Sequence, residues 1–497
     1  MRLWIGLCLP RLPLEVFCPN WSADASVVVL EQEQVMALSP LAGQAGIKPG
    51  MRRGGALMLA PQARLFERSP TLEAQALQEV ALALLQFSPL VGHGEEATLL
   101  VDAGASLRLF GGVRSLCRQI ANSLRALGYT AVLSCAPTAR GAWLLANAGT
   151  EAGARRVLGM ESLARRLDRL PVGLLPPARP YLDWFEGIGC RTLGQLRRLP
   201  RPGLQRRCGA ALLSMLDDAH GHGTELFVWI AAPPTFRASL ELFDRVENAE
   251  ALLFGARRLL QQMTGWLCAR QLAVERIALL LAHERGRQAR APTVVELALG
   301  EAVWRDEHLL RLLKERLAQL VLEAPVIGLT LEALQVLPMA PPSETLFPEP
   351  GGTPEDRQRL MELLVARLGS NNVLQAAPLA DYRPEAANRW LPLAGKSSGK
   401  LPASDLPPGL PGMPRPGWLL AQPIALLMRE HRPFYGSPLK MVSVAERIEA
   451  GWWGQSQARD YFIAEGRDHA HYWVYRERIA GSGEEAAPRW FLHGLFA

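Results

Sequence analysis

The sequence predicts an α/β chain of several domains that ends in a small β-rich C-terminal region. Its 497 residues are enough for three or four domains of roughly 100–200 residues each. The 49% hydrophobic content can fill that many cores. Short apolar or β-branched runs alternate with stretches at helical spacing, and proline-rich breaks at 170–177 and 391–416 divide the chain.

Composition narrows the function classes. A net charge of +6 and a pI near 9.1 permit nucleic-acid contact without requiring it. Seven cysteines stand singly, with no Cys-x-x-Cys pair, which argues against a disulfide framework and against a structural zinc site. No run of about eighteen apolar residues occurs, so no membrane span is expected. The apolar start is too short for a signal peptide and meets Pro10 and Pro13 at once. A reduced, cytoplasmic protein is expected.

Taken in order, Leu3-Trp4-Ile5-Gly6-Leu7-Cys8-Leu9 reads as a first strand and Val27-Val28-Val29-Leu30 as a second. A turn follows over 45–51, and 61–87 reads as continuous helix with a largely apolar stripe. Residues 97–103 read as a buried strand. Gly111-Gly112 then opens an amphipathic helix through Leu116, Ile120, Leu124 and Leu127.

After the first proline break comes a small helical unit with Gly187-Ile188-Gly189 between two helices. It is followed by Arg191, Arg197, Arg198, Arg201, Arg206 and Arg207. Residues 236–336 give a strand-helix-strand-strand-helix-strand order, with helices at 249–271 and 306–324 and strands at 276–283, 293–299 and 327–334. In this unit Asp244, Arg245 and Glu247 read as surface residues. A linker over 339–416 contains Pro341-Pro342-Ser343-Glu344-Thr345-Leu346-Phe347 and an amphipathic helix at 354–368. The tail, 417–497, is aromatic and glycine-punctuated, as a small β unit should be.

The first strand, taken with residues 95–112, resembles the palm of Y-family (translesion) DNA polymerases. Arg447-Ile448-Glu449-Ala450-Gly451-Trp452-Trp453 and Trp490-Phe491-Leu492-His493-Gly494-Leu495-Phe496 resemble the ends of the ImuB branch of that family. The resemblance implies palm and fingers over 1–168, a helical thumb over 169–233, an α/β little finger over 234–338, the linker and a partner-binding C-terminal region.

It also implies where the chemistry would lie. Active relatives hold two Mg²⁺ ions on carboxylates of the two palm strands, because phosphoryl transfer must stabilise both attacking and leaving oxygens. The corresponding positions here are Cys8, Ala97 and Thr98, none a carboxylate. Asp102 matches a strand-ending Asp that is not the main ligand. Glu95 and Glu96 read either as displaced ligands or as exposed flanking acids. The fingers Tyr and Arg that grip the triphosphate correspond to Pro40 and Gly43, and a helix Lys corresponds to Leu144. Arg140 falls on the first Lys position of that helix and Leu144 on the second; Arg140 there either touches phosphate or is a solvated helix-start arginine. No catalytic residue, metal or cofactor is therefore expected.

Binding functions remain. Gly187, Ile188, Gly189 and Arg191 fit a helix-hairpin-helix turn gripping a DNA phosphate, or a tight turn packing two helices. Ser343, Glu344, Thr345, Leu346 and Phe347 resemble the bacterial clamp-binding motif Gln-Leu-x-Leu-Phe. Leu346 and Phe347 match the anchors, and Ser343 and Glu344 depart from the preferred residues, so weaker binding is expected. The tail aromatics read as core or protein interface before base stacking. His469, His471 and His493 have no partner at metal-ligand spacing. The implied function is a non-catalytic adaptor in DNA-damage tolerance and induced mutagenesis; the alternatives are an active translesion polymerase with displaced metal ligands and a simple DNA-binding protein. Its expected partners are the β sliding clamp, ImuA (a RecA-like protein), an error-prone DnaE-type polymerase and primer–template DNA.

Overall fold

Strand β1 (Trp4–Cys8) is apolar at every position and buried along its whole length. After the short helix α1 (Leu12–Glu15), strands β2 (Val27–Glu31) and β3 (Gln34–Leu38) pair antiparallel. Helices α2 (Pro40–Gln44) and α3 (Arg53–Leu59) and strand β4 (Arg64–Glu67) complete this small layer, with sheet order β3-β2-β4. The protein is described here by a computed structural model covering residues 2–20, 25–149, 155–284, 290–339, 354–379, 381–393, 414–450, 457–478 and 489–496.

Strand β4 corrects the expectation of one helix over 61–87. Arg64 to Glu67 pairs parallel with Val27 to Leu30, so tertiary pairing overrides the local helical pattern. The helix begins only at α4 (Pro70–Leu84), where the Ser69 hydroxyl accepts the Leu72 N–H at 3.4 Å.

Strands β5 (Val91–His93) and β6 (Thr98–Asp102), helix α5 (Val113–Ala126), strand β7 (Val132–Ala136) and helix α6 (Ala139–Asn147) finish the first core. The antiparallel sheet runs β5-β6-β1-β7. Alternation along its strands sends Ile5, Leu7, Leu99 and Val101 to the side of α4 and α5. Trp4 and Leu100 face the opposite way, towards α6. The approach of α6 requires Gly6, where a Cβ would lie 2.6 Å from the Ala142 carbonyl oxygen.

Helices α7 (Met160–Leu167), α8 (Leu182–Gly187), α9 (Leu193–Arg198), α10 (Arg201–Cys208) and α11 (Ala210–His220) share the α6 core through Leu163, Phe185, Leu196 and Leu212. The second α/β layer runs β8 (Arg237–Val246), α12 (Leu252–Arg270), β9 (Leu272–His283), β10 (Thr293–Val303), α13 (Asp306–Gln319) and β11 (Val326–Pro338). This is the expected element order, with sheet order β10-β9-β11-β8. Helix α14 (Pro354–Leu368) follows, and Glu362 accepts the Gly300 N–H at 2.6 Å and pairs with His308 at 2.6 Å.

The chain divides into two compact units, Met1–Leu363 and Leu364–Ala497. The second contains the hairpin β12 (Leu374–Pro378) and β13 (Asn388–Pro392). Its larger sheet comprises β14 (Trp418–Arg429), β15 (Arg432–Tyr435), β16 (Ser437–Pro438), β17 (Lys440–Met441), β18 (Glu446–Ala450), β19 (Gln457–Glu465), β20 (His471–Glu477) and β21 (Trp490–Leu495). Tyr461, Trp473 and Tyr475 are buried at its centre. Among the described residues no helix is long and apolar enough to cross a membrane.

Candidate functional site

Antiparallel pairing of β1 with β6 sets Cys8 directly opposite Thr98. Both side chains lie on the α6 side of the sheet, and the last residue of α6, Asn147, joins them. The Cys8 thiol donates to Asn147 Oδ1 at 3.2 Å, and Asn147 Nδ2 donates to Thr98 Oγ1 at 3.1 Å and to the Trp143 carbonyl at 2.9 Å. The Thr98 hydroxyl in turn donates to the Glu96 carbonyl at 3.1 Å. Burial pushes the Cys8 pKa up, the Thr98 hydrogen bond opposes that shift, and the negative charge of Glu96 adds to it.

This thiol, hydroxyl and carboxamide are neutral and satisfy one another. Mg²⁺ requires hard, mostly anionic oxygen ligands, so Cys8 and Thr98, like the apolar Ala97, do not fit the two-metal role of the carboxylates expected at those positions. Asn147 was not singled out in the sequence. It lies 49 residues beyond Thr98, and only the packing of α6 brings it to the strand ends.

The flanking acids are engaged elsewhere. Glu96 and Ala97 adopt left-handed backbone angles, φ 54° and 50°, which turn Ala97 out of the strand; its carbonyl accepts the Leu9 N–H at 3.0 Å. Glu95 pairs with Arg140 at 3.3 Å, and Glu96 with Arg179. Asp102 Oδ1 caps the next turn by accepting the Gly104 N–H at 3.1 Å. It sits four residues along β6 from Thr98, about 13 Å at strand rise. Among the described residues no group of three or more His, Cys, Asp or Glu side chains is placed to hold a metal ion.

Helix α6 starts at the position read as a phosphate contact. Arg140 there lies over the Trp143 ring, 5.3 Å from its centroid, while bonded to Glu95. The backbone N–H groups of Ala139 and Arg140 donate to Glu225, a residue that no local sequence signal singles out. Burial pushes the Glu225 carboxyl up to about 7 against the opposing pull of Arg140. An internal carboxylate thus occupies this helix start. In the layer of β2, β3 and β4, Pro40 opens α2 and Gly43 lies within it. Leu144 is fully buried.

The Gly187-Ile188-Gly189 turn joins α8 to α9 and faces solvent. Gly189 has φ +71°, and a Cβ at Gly187 or Gly189 would meet open space. The turn's amides are already used. Ile188, Gly189 and Cys190 N–H donate to the Trp184, Glu186 and Phe185 carbonyls, and Arg191 and Thr192 N–H donate to Gln195 Oε1 at 2.8 and 3.1 Å. A phosphate here would therefore meet side chains before amides. Arg191 is exposed, whereas Arg197 and Arg201 pair with Asp168 and Asp217 at 2.8 and 2.6 Å. Arg207 stacks over Trp184 at 4.6 Å.

Ser343, Glu344, Thr345, Leu346 and Phe347 lie outside the described residues, as do Trp452 and Trp453. In the tail sheet His493 stacks on Tyr461 and Trp473, and its Nδ1 pairs with the Tyr461 hydroxyl at 2.9 Å. Burial lowers its pKa to about 4. The buried Asp460 pairs with Arg447 and Arg476, each at 2.9 Å. The aromatic run is thus largely core, while Trp418 and Leu427 on β14 stay exposed.

With this geometry in view, residues 15–147 match the model of the impB/mucB/samB family. Two relatives, each called Protein ImuB, come from Caulobacter vibrioides strains NA1000 / CB15N and ATCC 19089 / CIP 103742 / CB 15. Each is 27% identical over 476 residues, covering 91% of this chain and 100% of the relative. The chain is an ImuB homologue. Solved structures similar to it include "Dbh Ternary Complex (substrates partially disordered)" and "Insertion ternary complex of Dbh DNA polymerase". Both are 15% identical and cover 66% of this chain, with 98% and 97% of their own and TM-scores of 0.37 and 0.36.

Proposed function

We propose that this chain is a non-catalytic adaptor in DNA-damage tolerance and induced mutagenesis. It links the β sliding clamp, ImuA and an error-prone DnaE-type polymerase at damaged DNA, in the cytoplasm. The observation that carries this reading is the neutral Cys8–Asn147–Thr98 network, which offers no charge for a two-metal reaction. The domain plan expected from the sequence assigns the roles. The palm-like and thumb-like regions meet primer–template DNA, the linker peptide meets the clamp, and residues 417–497 meet the protein partners.

Two features support the binding roles. The exposed turn at Gly187, Ile188, Gly189 and Arg191 places a cationic side chain where a DNA phosphate can approach. Trp418 and Leu427 offer large exposed apolar side chains of the kind that anchor protein interfaces. Weak single contacts suffice, because a tether raises the effective concentration of the next partner.

Induced mutagenesis in cells tests the reading. Leu346→Ala with Phe347→Ala should abolish it, and Glu95→Ala, Glu96→Ala or Asp102→Ala should each retain it. Loss with any of those three acid variants at normal protein level would instead favour an active polymerase with displaced ligands.

A further inference from the structure

We propose that residues 237–338 are permanently docked on the helical back of the first sheet. Unit Met1–Leu363 is then one rigid scaffold, without a hinged DNA-gripping module. The docking element is α12, which covers its own sheet with one side and packs α4 and α5 with the other. Its polar residues Arg258, Gln261, Gln262 and Thr264 are all buried, although polar positions on a helix covering a sheet ordinarily face water.

They are buried because they have partners across the contact. Arg258 Nη2 donates to Glu79 Oε2 on α4 at 2.8 Å and to the Tyr129 hydroxyl, and Ser123 Oγ on α5 donates to Gln261 Oε1 at 2.6 Å. Opening this contact without flooding it would leave a buried charge unpaired, one of the costlier states in a protein. The backbones also touch: a Cβ at Gly265 would lie 1.9 Å from the Leu82 carbonyl oxygen. A glycine at that crossing is what lets α12 seat on α4.

Four further attachments remove the hinge. The connecting segment is pinned by the Ile230 N–H on the Val91 carbonyl at 2.8 Å and by Trp266 Nε1 on the Pro233 carbonyl at 2.7 Å. At the far end of β8, Phe243 meets Phe17 and Phe66 edge-on, each 6.5 Å away. Beside it, Asp244 pairs with Arg64 at 3.0 Å. All must open together for the unit to swing. Since α4 and α5 lie on the side of the sheet away from Cys8 and Thr98, the docked unit stays on that far side. On its own exposed sheet face Arg276 pairs with Glu296 at 2.8 Å and Arg237 with Glu332 at 3.1 Å. Carboxylates thus already engage both arginines, which weakens their pull on phosphate.

Spin labels at Arg118→Cys on α5 and Lys314→Cys on α13, in full-length protein carrying Cys268→Ser, read the separation of the two bodies by pulsed electron resonance. One narrow distance is expected, unchanged by a primer–template duplex. Gly265→Val should add a second, longer distance. If that variant does not fold, Arg258→Ala, which takes away the cation paired with Glu79, should do the same. Two distances in the unperturbed protein, or a shift on adding duplex, would overturn the proposal. So would a folded Gly265→Val protein with an unaltered distance.

Discussion

Replacing Asn147 by alanine removes three hydrogen bonds at once, to the Cys8 thiol, the Thr98 hydroxyl and the Trp143 carbonyl. Thr98 is fully buried and Cys8 nearly so, so water cannot readily replace the lost carboxamide. Each hydrogen bond contributes about 0.5–1.5 kcal/mol net, and a buried group left unpaired costs about 1–3 kcal/mol. Thr98 keeps its bond to the Glu96 carbonyl, and a thiol is a weak donor. The expected loss is therefore about 2 kcal/mol, near the middle of the range set by these contributions. At roughly 2–4 °C per kcal/mol for a larger domain, the melting temperature of the first unit should fall by about 4–8 °C. Differential scanning calorimetry reads it directly. A fall below about 1 °C would mean that the three bonds are not made in solution and that this network does not organise the strand ends. The control is Asn147→Asp, which adds a carboxylate beside Glu96. Burial and the like charge should raise its pKa, so the variant should lose stability as pH rises.

Three further outcomes follow from the same structure. The Glu225 carboxyl is raised to about 7 from an unfolded value near 4.5, so its contribution to stability is full below pH 4.5 and lost as pH rises through 7. Glu225→Gln should therefore melt higher than the natural protein at pH 8 and at nearly the same temperature at pH 4.5, measured by thermal denaturation; a lower melting temperature at pH 8 would contradict this. His493 is depressed to about 4 from 6.5, so its contribution is present above pH 6.5 and lost as pH falls towards 4, by at most about 3 kcal/mol. Urea unfolding of the tail sheet at pH 7.5 and 4.5 should show that loss, and His493→Gln should flatten it. Arg191→Ala should weaken duplex binding uniformly across sequences and reduce the salt slope by about one, read by fluorescence anisotropy at several salt concentrations.

How far the sequence exposed this molecule depends on how local each signal was. The Cys8 and Thr98 positions were legible because the apolar strands around them admit one register, and the structure pairs those residues directly. The alternation of elements from 237 to 338 was legible for the same reason. Strand β4 was not: four residues with little apolar alternation become a strand only because Val27 to Leu30 lies beside them. Helix α12 was placed correctly, but its polar face reads as solvated until α4 supplies Glu79. Asn147 and Glu225 escaped notice because each acts across a fold contact that no local pattern encodes. The exposed turn was found from Gly187-Ile188-Gly189, while the capture of the following Arg191 and Thr192 amides by Gln195 shows only in three dimensions.

The most direct test is primer extension by the purified protein alone over a range of Mg²⁺ and Mn²⁺ concentrations, with Glu96→Ala and Asp102→Ala variants beside it. A neutral Cys8–Asn147–Thr98 network predicts no nucleotide addition at any concentration of either metal. Extension abolished by Glu96→Ala or Asp102→Ala would contradict the adaptor reading and make the chain an enzyme. Extension indifferent to both changes would identify a contaminating polymerase, and further purification should then remove it.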